Sequence, residues 1–273
     1  MKIYYINMDE AVDRRQFMEE QFGKLGLSAT RVSGVGVQAL DQATLLRYCD
    51  AKKYQCLVPE EIACTSSHLK AMRHLLSSED EYALIIEDDV VLSPALPEFL
   101  EQWQQQKPGI DLARLETFVR FPVLLWPKVQ EKIAGTSLHR PAGYADGAAA
   151  YIISRRGALA VVSDTEVLAV AIDGTLNNPQ SRTARNLTIR HVVPGLCVQA
   201  QNHPASALSF SSSLEDARER RGGGAHRLRR RAFAIASRLQ SIAIGRPRAI
   251  LQMLRGARRV WIPFADTSRR SRL

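Results

Sequence analysis

The stretch that decides the fold is Tyr82-Ala83-Leu84-Ile85-Ile86-Glu87-Asp88-Asp89-Val90-Val91-Leu92. It begins as an apolar run, passes through three consecutive carboxylates and then becomes apolar again. An unbroken apolar run of this length is typical of a strand that is buried on both faces, as in parallel sheets. We therefore predict an α/β fold whose central strand carries three acids at its carboxyl end.

The acidic triplet Glu87-Asp88-Asp89 is the first candidate site. Adjacent carboxylates are costly inside a core, and the carboxyl ends of strands are where open α/β sheets bind ligands. Hard divalent cations take oxygen ligands, and Mg²⁺ often lies between carboxylates and substrate phosphates. The triplet predicts a site for Mn²⁺ or Mg²⁺ and a phosphorylated ligand. The alternative interpretation is a solvated acidic turn.

The rest of the first 200 residues predicts alternating strands and helices, as in an α/β sheet protein. Asp9 is a candidate cap for the first helix, and Gly26 is its predicted end. We predict strands at 2–7, 30–32, 112–116, 148–153 and 189–201, helices at 10–25, 41–48, 57–76, 94–106 and 155–162, and irregular structure at 121–133.

The charge of the 273-residue chain is uneven. Residues 214–273 contain sixteen arginines, no lysine and four acids, a net charge of +12; the whole chain carries +9, so residues 1–213 carry −3. We predict a catalytic domain over 1–208, a Ser-, Arg- and Gly-rich linker over 209–226 and a basic helical tail over 227–273. The basic overall charge therefore does not describe residues 1–208.

The tail contains two candidate amphipathic helices, with arginines on one face and apolar residues on the other. The second extends from about Ile250 to Trp261. This pattern is typical of a helix that binds an anionic membrane surface. In the alternative interpretation, the apolar faces pack onto the catalytic domain and the arginines face solvent.

Four segments together carry a family resemblance: Asp13-Arg14-Arg15 behind the first strand, residues 61–70 around Ser67-His68-Leu69, residues 85–90, and residues 147–158. In order and spacing they resemble glycosyltransferase family 25, over roughly residues 1–200. The resemblance implies a GT-A-type nucleotide-diphospho-sugar transferase fold with a DxD-like metal motif. It also implies inverting transfer of a hexose, galactose being the usual one, from a UDP-sugar to a saccharide acceptor of lipooligosaccharide, lipopolysaccharide or a related surface glycan.

The resemblance assigns the donor side of the site. Asp89 is the predicted metal ligand, and Glu87 and Asp88 are predicted to bind ribose hydroxyls or a metal-bound water. Arg14 and Arg15 are predicted to face the donor phosphates, since guanidinium suits phosphate. The alternative for either arginine is a helix-surface ion pair.

Four further residues complete the predicted site. Asn7, which ends the first strand, and His68 are predicted donor-binding residues, although a lone helical His is often structural. An inverting reaction needs a base that takes the acceptor's hydroxyl proton. We favour Asp173 for this role over Glu116, and the alternative interpretation of Asp173 is a turn-forming Asp before Gly.

Localisation and competing functions follow from the same patterns. The sequence shows no secretory signal and no membrane-spanning apolar run, and the four cysteines lack metal-type spacing. We expect free thiols and a cytoplasmic enzyme that is peripheral on the cytoplasmic face of the inner membrane and does not bind nucleic acid. The alternative functions are nucleic-acid binding through the basic tail and a non-catalytic role in assembly.

Overall fold

The computed structural model describes residues 1–49, 57–119, 121–203 and 246–266. It is a mixed α/β structure built on a nine-stranded sheet and a separate two-stranded sheet. Within these ranges, none of the helices has the length and apolar character needed to cross a bilayer. The α/β fold class predicted from the sequence is confirmed.

Eleven strands form the two sheets. In chain order they are β1 Lys2–Asn7, β2 Thr30–Ser33, β3 Tyr82–Glu87, β4 Val90–Leu92, β5 Leu112–Arg114, β6 Val123–Ile133, β7 Thr136–Pro141, β8 Ala150–Ser154, β9 Ile189–Val193, β10 Cys197–Gln199 and β11 Arg258–Val260. The large sheet has the order β11-β6-β7-β9-β5-β8-β3-β1-β2, and β10 pairs with β4. Strands β2, β1 and β3 are parallel neighbours, so their carboxyl ends meet at one edge.

Helices cover both faces of the large sheet. In chain order they are α1 Val12–Leu25, α2 Gln42–Tyr48, α3 Pro59–Leu76, α4 Leu96–Gln106, α5 Arg155–Val162, α6 Ile172–Leu176 and α7 Arg246–Leu254. Residues of α1 and α4 pack in one core cluster, and residues of α3, α5 and α6 pack in the other. Strand β3 contributes to both clusters, with Leu84 and Ile86 on one face and Ile85 on the other. This confirms the prediction of a strand buried on both faces.

The first helix begins later than predicted. Its cap residue is Ala11, not Asp9, and no side chain caps it. Asp9 instead accepts hydrogen bonds from Arg31 and Ser33, because these β2 side chains bring charged and hydroxyl donors to it. The predicted end is confirmed at Gly26, which has a φ of 64°, a conformation that glycine adopts without strain.

The prediction of irregular structure at 121–133 is wrong. Residues 123–133 form β6, an eleven-residue strand that turns into β7 through Ala134 and Gly135, both at positive φ. Pro127 obscured this strand in the sequence, since proline cannot donate to a strand ladder and occurs at irregularities. The pairing of β6 with β7 shifts register between Leu125 and Val129, on either side of Pro127.

The C-terminal region differs from the predicted helical tail. Helix α7 is present, but the predicted helix up to Trp261 is wrong, because residues 258–260 form β11 and pair with β6. The carbonyl groups of Ile262 and Ala265 accept hydrogen bonds from the side chains of Thr117 and Ser93. Residues 258–260 are therefore a strand of the large sheet, and the segment that follows is held by hydrogen bonds at Ile262 and Ala265. The basic helical extension is not confirmed as predicted; its first helix and the linker at 209–226 lie outside the described residues.

Candidate active site

A cleft of about 680 Å³ opens at the carboxyl ends of β1 and β3. The loop that follows β2 and the first half of α3 form its other walls. Five of the predicted donor-binding residues line it: Asn7, Arg14, His68, Glu87 and Asp88. The strand-end position predicted for the acids is therefore also the edge of a cavity large enough for a small ligand.

Asp88 is held by two donors at the base of this cleft. Asn7 Nδ2 donates to Asp88 Oδ2 over 2.7 Å, and Arg14 Nη1 donates to Asp88 Oδ1 over 2.8 Å. Arg31 Nε donates to Asn7 Oδ1 over 2.9 Å, which fixes the orientation of the Asn7 amide. Burial still raises the pKa of Asp88, although Arg14 and Asn7 lower it. The Asp88 carboxylate is therefore stabilised by Asn7 and Arg14, and through Arg14 it links α1 to the end of β3.

His68 is buried between two partners. Its Nδ1 lies 2.9 Å from the Tyr151 hydroxyl, and its Nε2 lies 3.2 Å from Glu87 Oε1. With the Tyr151 hydroxyl as donor, Nδ1 accepts from Tyr151 and Nε2–H is left to donate to Glu87, because a carboxylate oxygen accepts. Burial raises the pKa of Tyr151 well above its usual range, which keeps its hydroxyl a donor. His68 therefore orients Glu87, whose side chain is about one quarter exposed in the cleft.

Asp89, the last acid of the triplet, has a buried oxygen, Oδ1, with no hydrogen-bond partner among the described residues. Its Oδ2 lies 4.0 Å from Arg14 Nη1. Burial, followed by the charge of Glu87, raises the pKa of Asp89 to about 7, while Arg14 and a side-chain hydrogen bond from Gln199 lower it. Asp89 does not belong to the described lining of the cleft.

The acids of the triplet fit a divalent cation in their chemistry. The unpartnered Asp89 oxygen and the partly exposed Glu87 carboxylate are hard oxygen donors of the kind that Mg²⁺ and Mn²⁺ prefer. A second set shares Glu87: ligand atoms of Cys64, His68 and Glu87 all lie within 4.8 Å of one another. This mixed sulfur, nitrogen and oxygen set suits a softer ion such as Zn²⁺.

The loop after β2 is fixed to α3 over the cleft. The Val35 backbone N–H donates to Ser67 Oγ over 2.8 Å, and Ser67 Oγ donates to the Ala63 carbonyl. Lys70 Nζ donates to the Ser33 carbonyl over 2.9 Å. One wall of the cleft is thus held in place by the polar face of α3.

Asp173 lies in the first turn of α6 and is partly buried. Its Oδ2 accepts a hydrogen bond from the Tyr144 hydroxyl over 2.8 Å and one from the Gly147 backbone N–H over 3.3 Å. Its Oδ1 accepts from the Gly174 N–H over 2.7 Å. Burial, followed by the negative charges of Glu87 and Asp173, raises the pKa of the Cys64 thiol well above its usual range.

Glu116 lies beyond the end of β5 and is fully enclosed. Its Oε2 accepts a hydrogen bond from the Ala149 N–H over 3.0 Å and lies 3.5 Å from Arg114 Nη2. Burial raises the pKa of Glu116 to about 7, while Arg114 lowers it. A Cβ atom on Gly147 would lie 2.7 Å from Glu116 Oε2, and Gly147 has a φ of 85°. Gly147 therefore lies between the two candidate bases, Asp173 and Glu116, and a residue with a side chain would not fit there.

The site also contains residues that the sequence did not single out. Cys64 neighbours His68 and Glu87, Tyr151 orients His68, and Tyr144 binds Asp173. Tyr151 and Tyr144 come from elements distant in sequence from their partners, so no local motif could have identified them, whereas Cys64 precedes His68 by one turn of the same helix α3. Arg15, a predicted donor-binding residue, lies outside the described lining of the cleft, and its role stays a prediction.

Comparisons with known proteins identify the family. Residues 1–176 match the family described as "Glycosyltransferase family 25 (LPS biosynthesis protein)". The chain is 24% identical over 226 residues to the lipooligosaccharide biosynthesis protein lic2B of Haemophilus influenzae, covering 80% of this chain and 83% of lic2B. It is 25% identical over 256 residues to the lipooligosaccharide biosynthesis protein lex-1 of the same species, covering 79% of this chain and 82% of lex-1.

A solved glycosyltransferase that is involved in glycosylation of the major capsid of PBCV-1 superposes with a TM-score of 0.38 at 10% identity, covering 81% of this chain and 98% of that one. Because the family match spans well over half of its length, the chain belongs to glycosyltransferase family 25.

Proposed function

We propose that this protein is an inverting glycosyltransferase with a GT-A-type donor site. It transfers a hexose, galactose in the first instance, from a UDP-sugar to a saccharide acceptor of lipooligosaccharide, lipopolysaccharide or a related surface glycan. The observation that carries this proposal is the Glu87-Asp88-Asp89 triplet at a cleft-forming strand end in a chain of this family. The names of lic2B and lex-1 support the class of acceptor.

The donor is proposed to bind in the cleft at the ends of β1 and β3. Asp89 and Glu87 would hold Mn²⁺ or Mg²⁺, and the buried, unpartnered Asp89 oxygen supports this assignment. When bound, such a cation neutralises charge on the leaving diphosphate. Arg14 and Asn7 keep Asp88 in place, and His68 aims Glu87 into the cleft.

The acceptor hydroxyl is proposed to attack the anomeric carbon from the face opposite the diphosphate. As the new carbon–oxygen bond forms, the bond to the phosphate oxygen breaks and the diphosphate leaves with the electron pair. Asp173 takes the hydroxyl proton. Its partial exposure supports this choice, since Glu116 is enclosed and paired with Arg114.

Helix α7 supports the proposal that the enzyme works at a membrane surface. Ile250, Leu251 and Leu254 of α7 are exposed large apolar residues, and Arg248 of α7 and Arg255, which directly follows the helix, are exposed as well. Exposed apolar and basic side chains on one element are typical of a segment that binds an anionic bilayer surface. The association would be peripheral, on the cytoplasmic face of the inner membrane.

A screen of nucleotide sugars tests the proposed function. Purified enzyme is incubated with UDP-galactose, UDP-glucose and other nucleotide sugars, with and without Mn²⁺, and release of the nucleoside diphosphate is measured. We expect hydrolysis of one UDP-hexose, stimulated by the cation and abolished by chelator. Absence of hydrolysis and of transfer with every donor, in a folded preparation with Mn²⁺ present, would overturn the proposal.

A further inference from the structure

A second cavity of about 720 Å³ lies away from the candidate active site. Its walls come from the β6–β7 hairpin, from the segment between α6 and β9, and from α7. Arg248 Nη1 donates to Gln180 Oε1 over 2.7 Å and so ties α7 to this segment. Most of this cavity lies outside the residues that match the family, so it is a feature of this chain's C-terminal part.

Four arginines line the cavity: Arg140, Arg185, Arg190 and Arg255. No Asp or Glu belongs to the lining that the described residues form. Arg190 is neutralised by a two-pronged ion pair with Glu131, which leaves the other three as the source of positive charge. A concave surface lined by one sign of charge concentrates ligands of the opposite sign.

The three remaining arginines are exposed and available to a ligand. Within the described part of the chain, Arg140, Arg185 and Arg255 form no ion pair. Guanidinium groups present donors in a planar array that matches phosphate and carboxylate oxygens. The charge of this cavity thus fits an anionic group.

Two other side chains fit a saccharide. Trp126 lines the cavity, and the Arg140 guanidinium lies 4.9 Å from its ring centroid, so one wall combines an aromatic surface with a cation. Gln252 Oε1 is buried and lacks a hydrogen-bond partner among the residues described. As an acceptor it suits a hydroxyl group, which a saccharide supplies.

Segments that line the cavity continue along the chain into the elements that hold Asp173, the proposed base. Pro141 and Ala142 lead into the loop whose Tyr144 binds Asp173, and Pro179 and Gln180 follow the helix that carries Asp173. We infer that this arginine-lined cavity binds an anionic substituent, a phosphate or carboxylate, of the saccharide acceptor. This inference rests on the proposed function and specifies the acceptor as an acidic saccharide.

Equilibrium binding of a soluble acceptor tests the inference. The probes are a deacylated, phosphorylated lipopolysaccharide oligosaccharide and the same oligosaccharide after removal of its phosphates. We expect the full-length wild-type protein to bind the phosphorylated form about tenfold more tightly or better, as loss of charge-assisted hydrogen bonds costs at least that much. R185Q/R255Q is expected to lose this preference. The matched control R182Q/R259Q removes the same charge from exposed arginines outside the lining and is expected to keep it.

Three outcomes would overturn the inference. These are equal binding of both oligosaccharides by wild type, a preference that survives in R185Q/R255Q, or a double variant that loses only binding to phosphatidylcholine vesicles containing phosphatidylglycerol. The last result would make the cavity a bilayer contact. The comparison of the two oligosaccharides on wild-type protein needs no variant, so it tests the inference even if R185Q/R255Q does not fold. Donor hydrolysis by the wild-type protein is measured in parallel, so failure of the proposed function is seen separately.

Discussion

The two ends of the large sheet differ in how they are built and in what they carry. At one end, the parallel strands β2, β1 and β3 end in an acidic cleft. At the other end, the antiparallel strands β11, β6 and β7 lie beside an arginine-lined cavity. The acidic end belongs to the part of the chain that matches the family, and the basic end is completed by the C-terminal residues. We propose that the acidic end binds the donor and that the basic end recognises the acceptor.

The largest expected effect is at the acidic end. Asp89→Asn removes the charge of the proposed cation ligand but keeps the side-chain volume, so the fold is expected to persist. Several kcal/mol of charge stabilisation would be lost, and transfer is expected to fall by about 10³-fold or more. Steady-state transfer assays with and without chelator measure this effect. Full activity of a chelated wild-type enzyme would show that Asp89 has another role.

The choice of base is expected to have the next largest effect. Asp173→Asn keeps the shape of the side chain but cannot accept the acceptor's proton, and turnover is expected to fall by about 10²–10⁴-fold while donor binding is retained. The comparison variant is Glu116→Gln. Near-normal turnover in Asp173→Asn together with an inactive Glu116→Gln would transfer the role to Glu116.

Neighbouring residues at the basic end test whether the C-terminal segment is part of the fold. Ile262 is 3% exposed and packs with Val123 and Leu125, whereas Trp261 is 61% exposed. Ile262→Ala is expected to lower the free energy of unfolding by about 2–5 kcal/mol, and Trp261→Ala to change it by about 0.5 kcal/mol or less. Chemical denaturation measures both. Equal, small effects would mean that the segment does not stabilise the sheet.

The smallest effect concerns pH. Folded Asp89 holds its proton up to about pH 7, whereas in the unfolded chain it releases it near its ordinary pKa of about 3.9. Between these values the native state binds more protons, so stability falls as pH rises from 5 to 8. In chelator, wild type is expected to lose about 1–3 kcal/mol over this range. Asp89→Asn is expected to lose less, and Glu116, whose pKa is also raised to about 7, accounts for the remainder. If the free energy of unfolding depended on pH identically in wild type and in Asp89→Asn, that result would contradict the buried position of Asp89.

The sequence predicted the acidic end of the sheet better than the basic end for a physical reason. A strand buried on both faces, such as β3, is an unbroken apolar run and is visible in one window of sequence. Only three of the eleven residues of strand β6 are buried, and Pro127 lies at a break in its register, so it lacks that signal. Strand β11 contains Arg258 and Arg259, and its strand form depends on pairing with β6, which local sequence does not encode.

The residues of the candidate site also could be predicted from the sequence only in part. The acids at the end of β3 could be predicted because strand ends meet at one edge of a parallel sheet. Contacts between distant elements could not, such as Tyr151 with His68 or Gly147 between Asp173 and Glu116. These contacts depend on how α3, β8 and α6 pack, so they require the tertiary structure.

The most direct test of the central claim is a crystal structure with UDP and Mn²⁺ bound. The acidic cleft and the arginine-lined cavity are alternative sites for a diphosphate, and only the first agrees with the account. We predict that UDP lies in the cleft at the ends of β1 and β3, with its diphosphate and the cation beside Glu87 and Asp89. A diphosphate bound instead between Arg185 and Arg255, with the acidic cleft empty, would contradict it.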